Sequence, residues 1–182
     1  ANANNIAVID SRSEVELTYR ELEKRVGQME EFLSVCGFNS EKRLFVLLPN
    51  SLETLLVFLA VARMGGTLIP QSIQSTPPEL HYLLGKTQPD FALITSDASA
   101  AILESLDSHE IPFKTIPENY VCFVPKPRSN DYQSRLKIRS AQLFLQTSGT
   151  TGEPKTMVIN IDQLWESALA WVDFHKELNH KC

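Results

Sequence analysis

The sequence predicts an α/β fold: a mostly parallel sheet with flanking helices. Three observations carry that prediction. Short, continuous apolar runs such as "RLFVLLP" have strand length and suit strands covered on both faces. Segments of helical periodicity with recognisable caps follow them. Strand and helix then alternate along the chain, which calls for parallel strands joined by right-handed crossovers. With 182 residues, 43% of them hydrophobic, the chain can bury the core of one domain or of one large subdomain.

Taken in order, "TYRELEKRVGQMEEFLSVCG" opens with Thr18 and Glu21 in capping-box spacing. It lines Leu22, Val26, Met29, Leu33 and Cys36 on one stripe and stops at Gly37. The strand Arg43 to Pro49 follows. A second helix has Asn50 or Ser51 as its cap, Leu55, Leu56, Leu59 and Ala62 inside, and Gly65-Gly66 as its stop. "TLIP" is a short strand. Ser75 or Thr76, with Pro77, Pro78 and Glu79, starts a helix that runs to about Lys86, since proline is tolerated in a first turn. "DFALITS" is a buried strand, and a short helix from Asp97 or Ser99 reaches about Ser108. Strands near Phe113 to Ile116 and Val121 to Val124 complete an N-terminal α/β subdomain, residues 1–125. The polar, basic, proline-containing stretch 126–140 reads as a surface connection. Beyond it, 141–182 supplies a strand, a loop, a strand and a helix of a second, incomplete sheet, with Leu164, Ala168, Trp171 or Val172, and His175 on one side of the helix. One of Trp165 and Trp171 is expected in the core.

Charge and composition exclude several classes. A formal charge of -5, with acidic and basic residues interspersed, gives no footprint for nucleic acid or an anionic membrane. Cys36, Cys122 and Cys182 form no CxxC pair, and His81, His109, His175 and His180 lack metal-ligand spacing, so no metal site is expected. No signal-peptide pattern opens the chain and no apolar run reaches membrane-spanning length, so the expectation is a soluble, cytoplasmic protein with reduced thiols.

The chemistry concentrates in "LFLQTSGTTGEPKTMVIN". A phosphate chain needs converging backbone amides, small residues that let it approach, hydroxyl donors and a cation. Gly149 and Gly152 supply the tight backbone, Thr147, Ser148, Thr150 and Thr151 the donors, and Lys155 the charge. The nucleotide loop G-x-x-x-x-G-K-[ST] is a near miss, because Pro154 stands where its second glycine belongs. The apolar, β-rich Met157, Val158 and Ile159 also imply that the loop joins two strands. A P-loop NTPase therefore stands as a less favoured alternative.

At these residues the sequence resembles the adenylate-forming superfamily of acyl-CoA synthetases, nonribosomal peptide adenylation domains and luciferases. Its ATP-phosphate loop reads approximately T-S-G-[ST]-T-G-x-P-K-G, and "TSGTTGEPK", Thr147 to Lys155, matches it. "LTYRELEKRV", "VLLPNSLETLLVFLAVARMGGTLIP" and the helix after "STPPEL" resemble the family's N-terminal segment in order and spacing, so the resemblance covers essentially the whole chain.

The resemblance implies the N-terminal subdomain of that enzyme fold. It also implies ATP as cofactor with Mg2+, a carboxylic acid substrate, and a thiol acceptor such as CoA or carrier-protein phosphopantetheine. By matched position, Thr147, Ser148, Gly149, Thr150, Thr151 and Gly152 hold phosphate, and Lys155, the implied catalytic residue, neutralises charge as pyrophosphate departs.

Two departures bear on this. Thr156 stands where the family usually has glycine, so it either crowds the loop or adds a donor. The family's adenine-binding aromatics, metal-binding glutamate, ribose-binding aspartate and C-terminal-domain lysine have no counterpart in the chain. The implied protein is the first part of an AMP-forming acid–thiol ligase, inactive alone and completed by its remainder or by self-association. A non-catalytic or split nucleotide-binding module is the alternative.

Overall fold

The structure, a computed structural model, describes residues 2–116, 141–147 and 155–179, with side chains for all of these except Thr147 and 172–179. The strand expected at Val121 to Val124, the connection 126–140, and Cys122, His180 and Cys182 lie outside the described residues. A hairpin of β1 (Ile6–Asp10) and β2 (Val15–Thr18) comes first, paired antiparallel. Then come α1 (Tyr19–Val35), β3 (Arg43–Leu47), α2 (Leu52–Met64), β4 (Thr67–Pro70), α3 (Pro77–Thr87), β5 (Phe91–Thr95), α4 (Ala100–Asp107) and β6 (Phe113–Ile116). The chain resumes with β7 (Gln142–Thr147), β8 (Lys155–Asn160) and α5 (Ile161–Asn179).

Six strands form one sheet in the order β6-β5-β3-β4-β7-β8, parallel except for β8. The order places β4 and β5 on opposite sides of β3. Right-handed crossovers that leave in opposite directions must put their helices on opposite faces, and the core divides accordingly. Leu44, Val46 and Leu68 pack with α1 and α2 through Met29, Leu33, Leu56 and Val57, while Phe45, Leu47 and Ile69 pack with α3 and α4 through Leu80, Leu84 and Leu106. Successive residues of β3 thus serve opposite layers, which is why that strand is apolar throughout.

The second-sheet expectation for β7 and β8 is corrected by this pairing. Thr67 and Leu68 of β4 are the Cα partners of Gln142 and Leu143 of β7. The segment extends the first sheet because β4 offers an open edge, and pairing partners are not written in the hydrophobic pattern of either strand. Helix α2 buries Leu56 as expected, and its buried face is broader than the expected stripe. Leu52, Leu56, Val57, Ala60 and Val61 are its buried residues, and Leu55, Leu59 and Ala62 are only partly buried. On α5, Leu164, Trp165, Ala168, Leu169 and Trp171 are exposed, against the expected inward stripe and core tryptophan. Exposed Met157 and Val158 of β8 lie on the neighbouring strand.

The Thr18–Glu21 cap predicted from spacing is formed, and of the two candidates for α3 it is Thr76 that pairs with Glu79. The Thr18 amide and hydroxyl donate to Glu21 Oε2 at 2.9 and 2.7 Å, and the Thr76 amide donates to Glu79 Oε2 at 2.8 Å. These bonds hold the Glu21 and Glu79 carboxyls below their usual value of 4.5. A depressed carboxylate contributes stability that is present above its unfolded value and lost as pH falls through the folded one. Thr18→Ala is expected to cost about 1 kcal/mol at neutral pH. In a Thr18→Ala/Thr76→Ala double variant, thermal midpoints measured between about pH 3 and 6 should fall less steeply on acidification than in the parent.

Candidate functional site

Antiparallel pairing of β7 with β8 fixes the two residues that flank the hydroxyl-rich segment. Thr147, the last residue of β7, is the Cα partner of Lys155, the first of β8, and the register continues through Gln146↔Thr156 and Leu145↔Met157. Because β7 runs parallel to β4, its end lies at the carboxyl edge of the parallel strands, beside Pro70 and near the ends of β3 and β5. Open α/β sheets bind ligands outside that edge. Of the site residues expected from sequence, Thr147 and Lys155 are placed as directly opposed anchors, and Lys155 is exposed. Ser148, Gly149, Thr150, Thr151 and Gly152 lie outside the described residues.

The P-loop alternative is corrected here. That motif opens directly into a helix whose N-terminus faces the phosphates, whereas Lys155 opens strand β8 and α5 begins only at Ile161. The choice left open for Thr156 narrows as well. It sits inside the β8 ladder, where a β-branched residue is favoured, so it does not distort the backbone. Its Oγ1 is buried without a hydrogen-bond partner among the described residues.

Side chains that the sequence reading missed surround the base of the loop. Gln71, just after β4, brings its Nε2 within 2.6 Å of Ser75 Oγ and 3.4 Å of Gln146 Oε1. No local motif marks Gln71, and only the parallel β4–β7 pairing makes it a neighbour of Gln146. Farther along the same edge, a cavity of about 580 Å³ opens where β3 and β5 end, against the β1–β2 turn and the start of α2. Asp10, Arg25, Leu48, Ser51, Thr95 and Ile102 help line it. It falls where the strand order reverses, the usual crevice position in such sheets.

Elsewhere the chemistry-bearing residues are structural. His81 and His109 meet edge-on with ring centroids 4.5 Å apart, and His109 Nδ1 lies 2.9 Å from the Ser105 carbonyl. Burial pushes the Cys36 thiol up, away from reactivity. Among the described residues no group of three His, Cys, Asp or Glu side chains is placed to hold a metal ion, and no helix is long and apolar enough to cross a membrane.

The described residues form an open, mostly parallel α/β sheet in which β7 and β8 bracket residues 148–154 at the carboxyl edge. The chain belongs to the family described as AMP-binding enzyme, whose sequence model matches residues 1–181. It is 29% identical over 145 residues to the nonribosomal peptide synthetase easA of Emericella nidulans, covering 79% of this chain and 2% of that protein. It is 23% identical over 177 residues to the long-chain-fatty-acid–CoA ligase FadD13 of Mycobacterium tuberculosis, covering 91% of this chain and 34% of the ligase. Among solved structures, apo MatB from Rhodopseudomonas palustris superposes with a TM-score of 0.78 at 21% identity, over 96% of this chain and 35% of that one, a likeness of fold. The chain therefore spans 34% or less of the length of these two relatives.

Proposed function

We propose that the chain is the leading part of an ATP-dependent carboxylate ligase and carries its ATP-phosphate loop. In the proposed reaction a carboxylate oxygen attacks the α-phosphorus of ATP, the bond to the bridging oxygen breaks, and pyrophosphate leaves an acyl-adenylate. A thiol of CoA or carrier-protein phosphopantetheine then displaces AMP. Thr147, Ser148, Gly149, Thr150, Thr151 and Gly152 hold the departing phosphates, and Lys155 offsets their charge. Preorganised donors of this kind act where charge develops, each contributing roughly 3 to 4 kcal/mol.

One observation carries the reading: the loop is closed by directly opposed Thr147 and Lys155 at the sheet's carboxyl edge. Family membership supports the ATP chemistry. The 1–125 subdomain and the 126–140 connection belong to this proposal, as do a cytoplasmic setting and inactivity of the chain without the rest of the catalytic apparatus.

Calorimetric titration of the chain with ATP tests it. Binding that inorganic pyrophosphate displaces and adenosine does not is the expected result. Displacement by adenosine alone, or absence of binding, would contradict the phosphate-loop reading, and pyrophosphate exchange by the chain alone would contradict its inactivity.

A further inference from the structure

Arg25 of α1 is half-buried, and among the described residues no hydrogen bond or ion pair engages its guanidinium. The Glu21 carboxyl feels its charge from one helical turn away but is already tied to the Thr18 cap. A guanidinium carries five donors and a permanent charge, so holding it partly out of water without a partner costs stability. The place where it is held supplies a reason. Arg25 lines the cavity of about 580 Å³ at the carboxyl ends of β3 and β5, a size that takes a small molecule.

The cavity has walls of two kinds. Leu48, Leu52, Ile73 and Ile102 make an apolar side. On the polar side Ser99 caps α4 without a side-chain hydrogen bond, so the first-turn amides of that helix keep their donors open beside the cavity. Asp10, Glu53 and Asp97 also line it. Asp10 is occupied by the Arg12 amide and the Ser13 hydroxyl, which donate to its two oxygens. Three carboxylates around the space oppose a dianion, whereas a single negative charge on a planar group matches the Arg25 fork.

We propose that this cavity binds a monocarboxylate with an apolar body, its carboxylate taken by Arg25 and its hydrocarbon lying against Leu48, Leu52 and Ile102. Neighbouring strands lie about 4.8 Å apart, which puts β3 and β7 roughly 10 Å from one another across β4. The site is therefore separate from the segment that β7 and β8 bracket, and it does not rest on the phosphate reading.

Calorimetric titrations with octanoate, 1-octanol and octyl phosphate test it, at about pH 8 where the phosphate is doubly ionised. Octanoate is expected to bind roughly tenfold or more tightly than 1-octanol, the margin for a hydrogen bond to a charged group. It should also bind more tightly than octyl phosphate, and inorganic pyrophosphate should not displace it. Arg25→Met keeps the stem and removes the fork. That variant should bind octanoate no better than 1-octanol, with a thermal midpoint equal to or above that of the parent. Ser96→Trp, at an exposed position lining the cavity, should block both ligands.

Absence of octanoate binding, equal affinity for the parent and Arg25→Met, or tighter binding of octyl phosphate overturns the site. A lowered midpoint for Arg25→Met overturns it too, because the guanidinium then serves the fold. Displacement by pyrophosphate would move the ligand to the β7–β8 segment, and undiminished binding to Ser96→Trp would put it outside the cavity. Either result sinks the carboxylate site and leaves the phosphate reading standing.

Discussion

Gly66→Ala is expected to lower the thermal midpoint by about 6–12 °C, the equivalent of about 3 kcal/mol of overpacking in a chain of this size. A Cβ at Gly66 would stand 2.4 Å from Phe38 Cζ, 2.9 Å from Cε1 and 3.2 Å from the Asn39 carbonyl oxygen. Phe38 is only 3% exposed and cannot swing into solvent without vacating the core beneath α1 and α2.

The backbone has no freedom to yield either. The Gly66 amide donates to the Val61 carbonyl that ends α2, and its own carbonyl accepts from the Gln142 amide that begins β7. Gly65 before it takes a left-handed φ of 75°, so the pair turns the chain from helix to strand in the least possible space. Phe38→Leu combined with Gly66→Ala should recover part of the loss, giving less than additive destabilisation in a double-mutant cycle. A Gly66→Ala shift below about 2 °C would show that the ring relocates freely.

Lys155→Ala is expected to weaken binding of ATP and of inorganic pyrophosphate by roughly 10- to 100-fold, the range for loss of a hydrogen bond to a charged group. The thermal midpoint should stay near that of the parent, because the residue is exposed at the first position of β8. Lys155→Arg should retain part of the affinity, since charge is kept while the reach and fork of the head group change. Equal titrations for parent and Lys155→Ala would remove the lysine from the site.

Much of the fold was legible because its signals are local. The Thr18–Glu21 and Thr76–Glu79 boxes, the glycine stop of α2 and the β3 run are each written within a few residues. The β1–β2 hairpin was not anticipated. Its strands are only five and four residues long, so the apolar run Ile6–Ile9 and the alternation of Val15, Glu16, Leu17 and Thr18 are too brief to stand out.

Helix α2 was found but the most buried part of its face was not singled out, because it is apolar nearly all round and leaves periodicity little contrast to report. For the site, the loop's composition and its strand-to-strand setting could be read, and the strands that bracket it are present. What no pattern announced was the company those strands keep. Gln71 reaches Gln146 across 75 positions, a neighbourhood created only when β4 and β7 pair.

The two tryptophans of the chain, Trp165 and Trp171, both ride on α5, 58% and 64% exposed. Intrinsic indole emission will thus report the surroundings of that helix and stay nearly silent about melting of the sheet. It should be red-shifted and open to iodide quenching, and a blue shift would register anything that settles over α5, which makes the chain its own optical sensor of assembly.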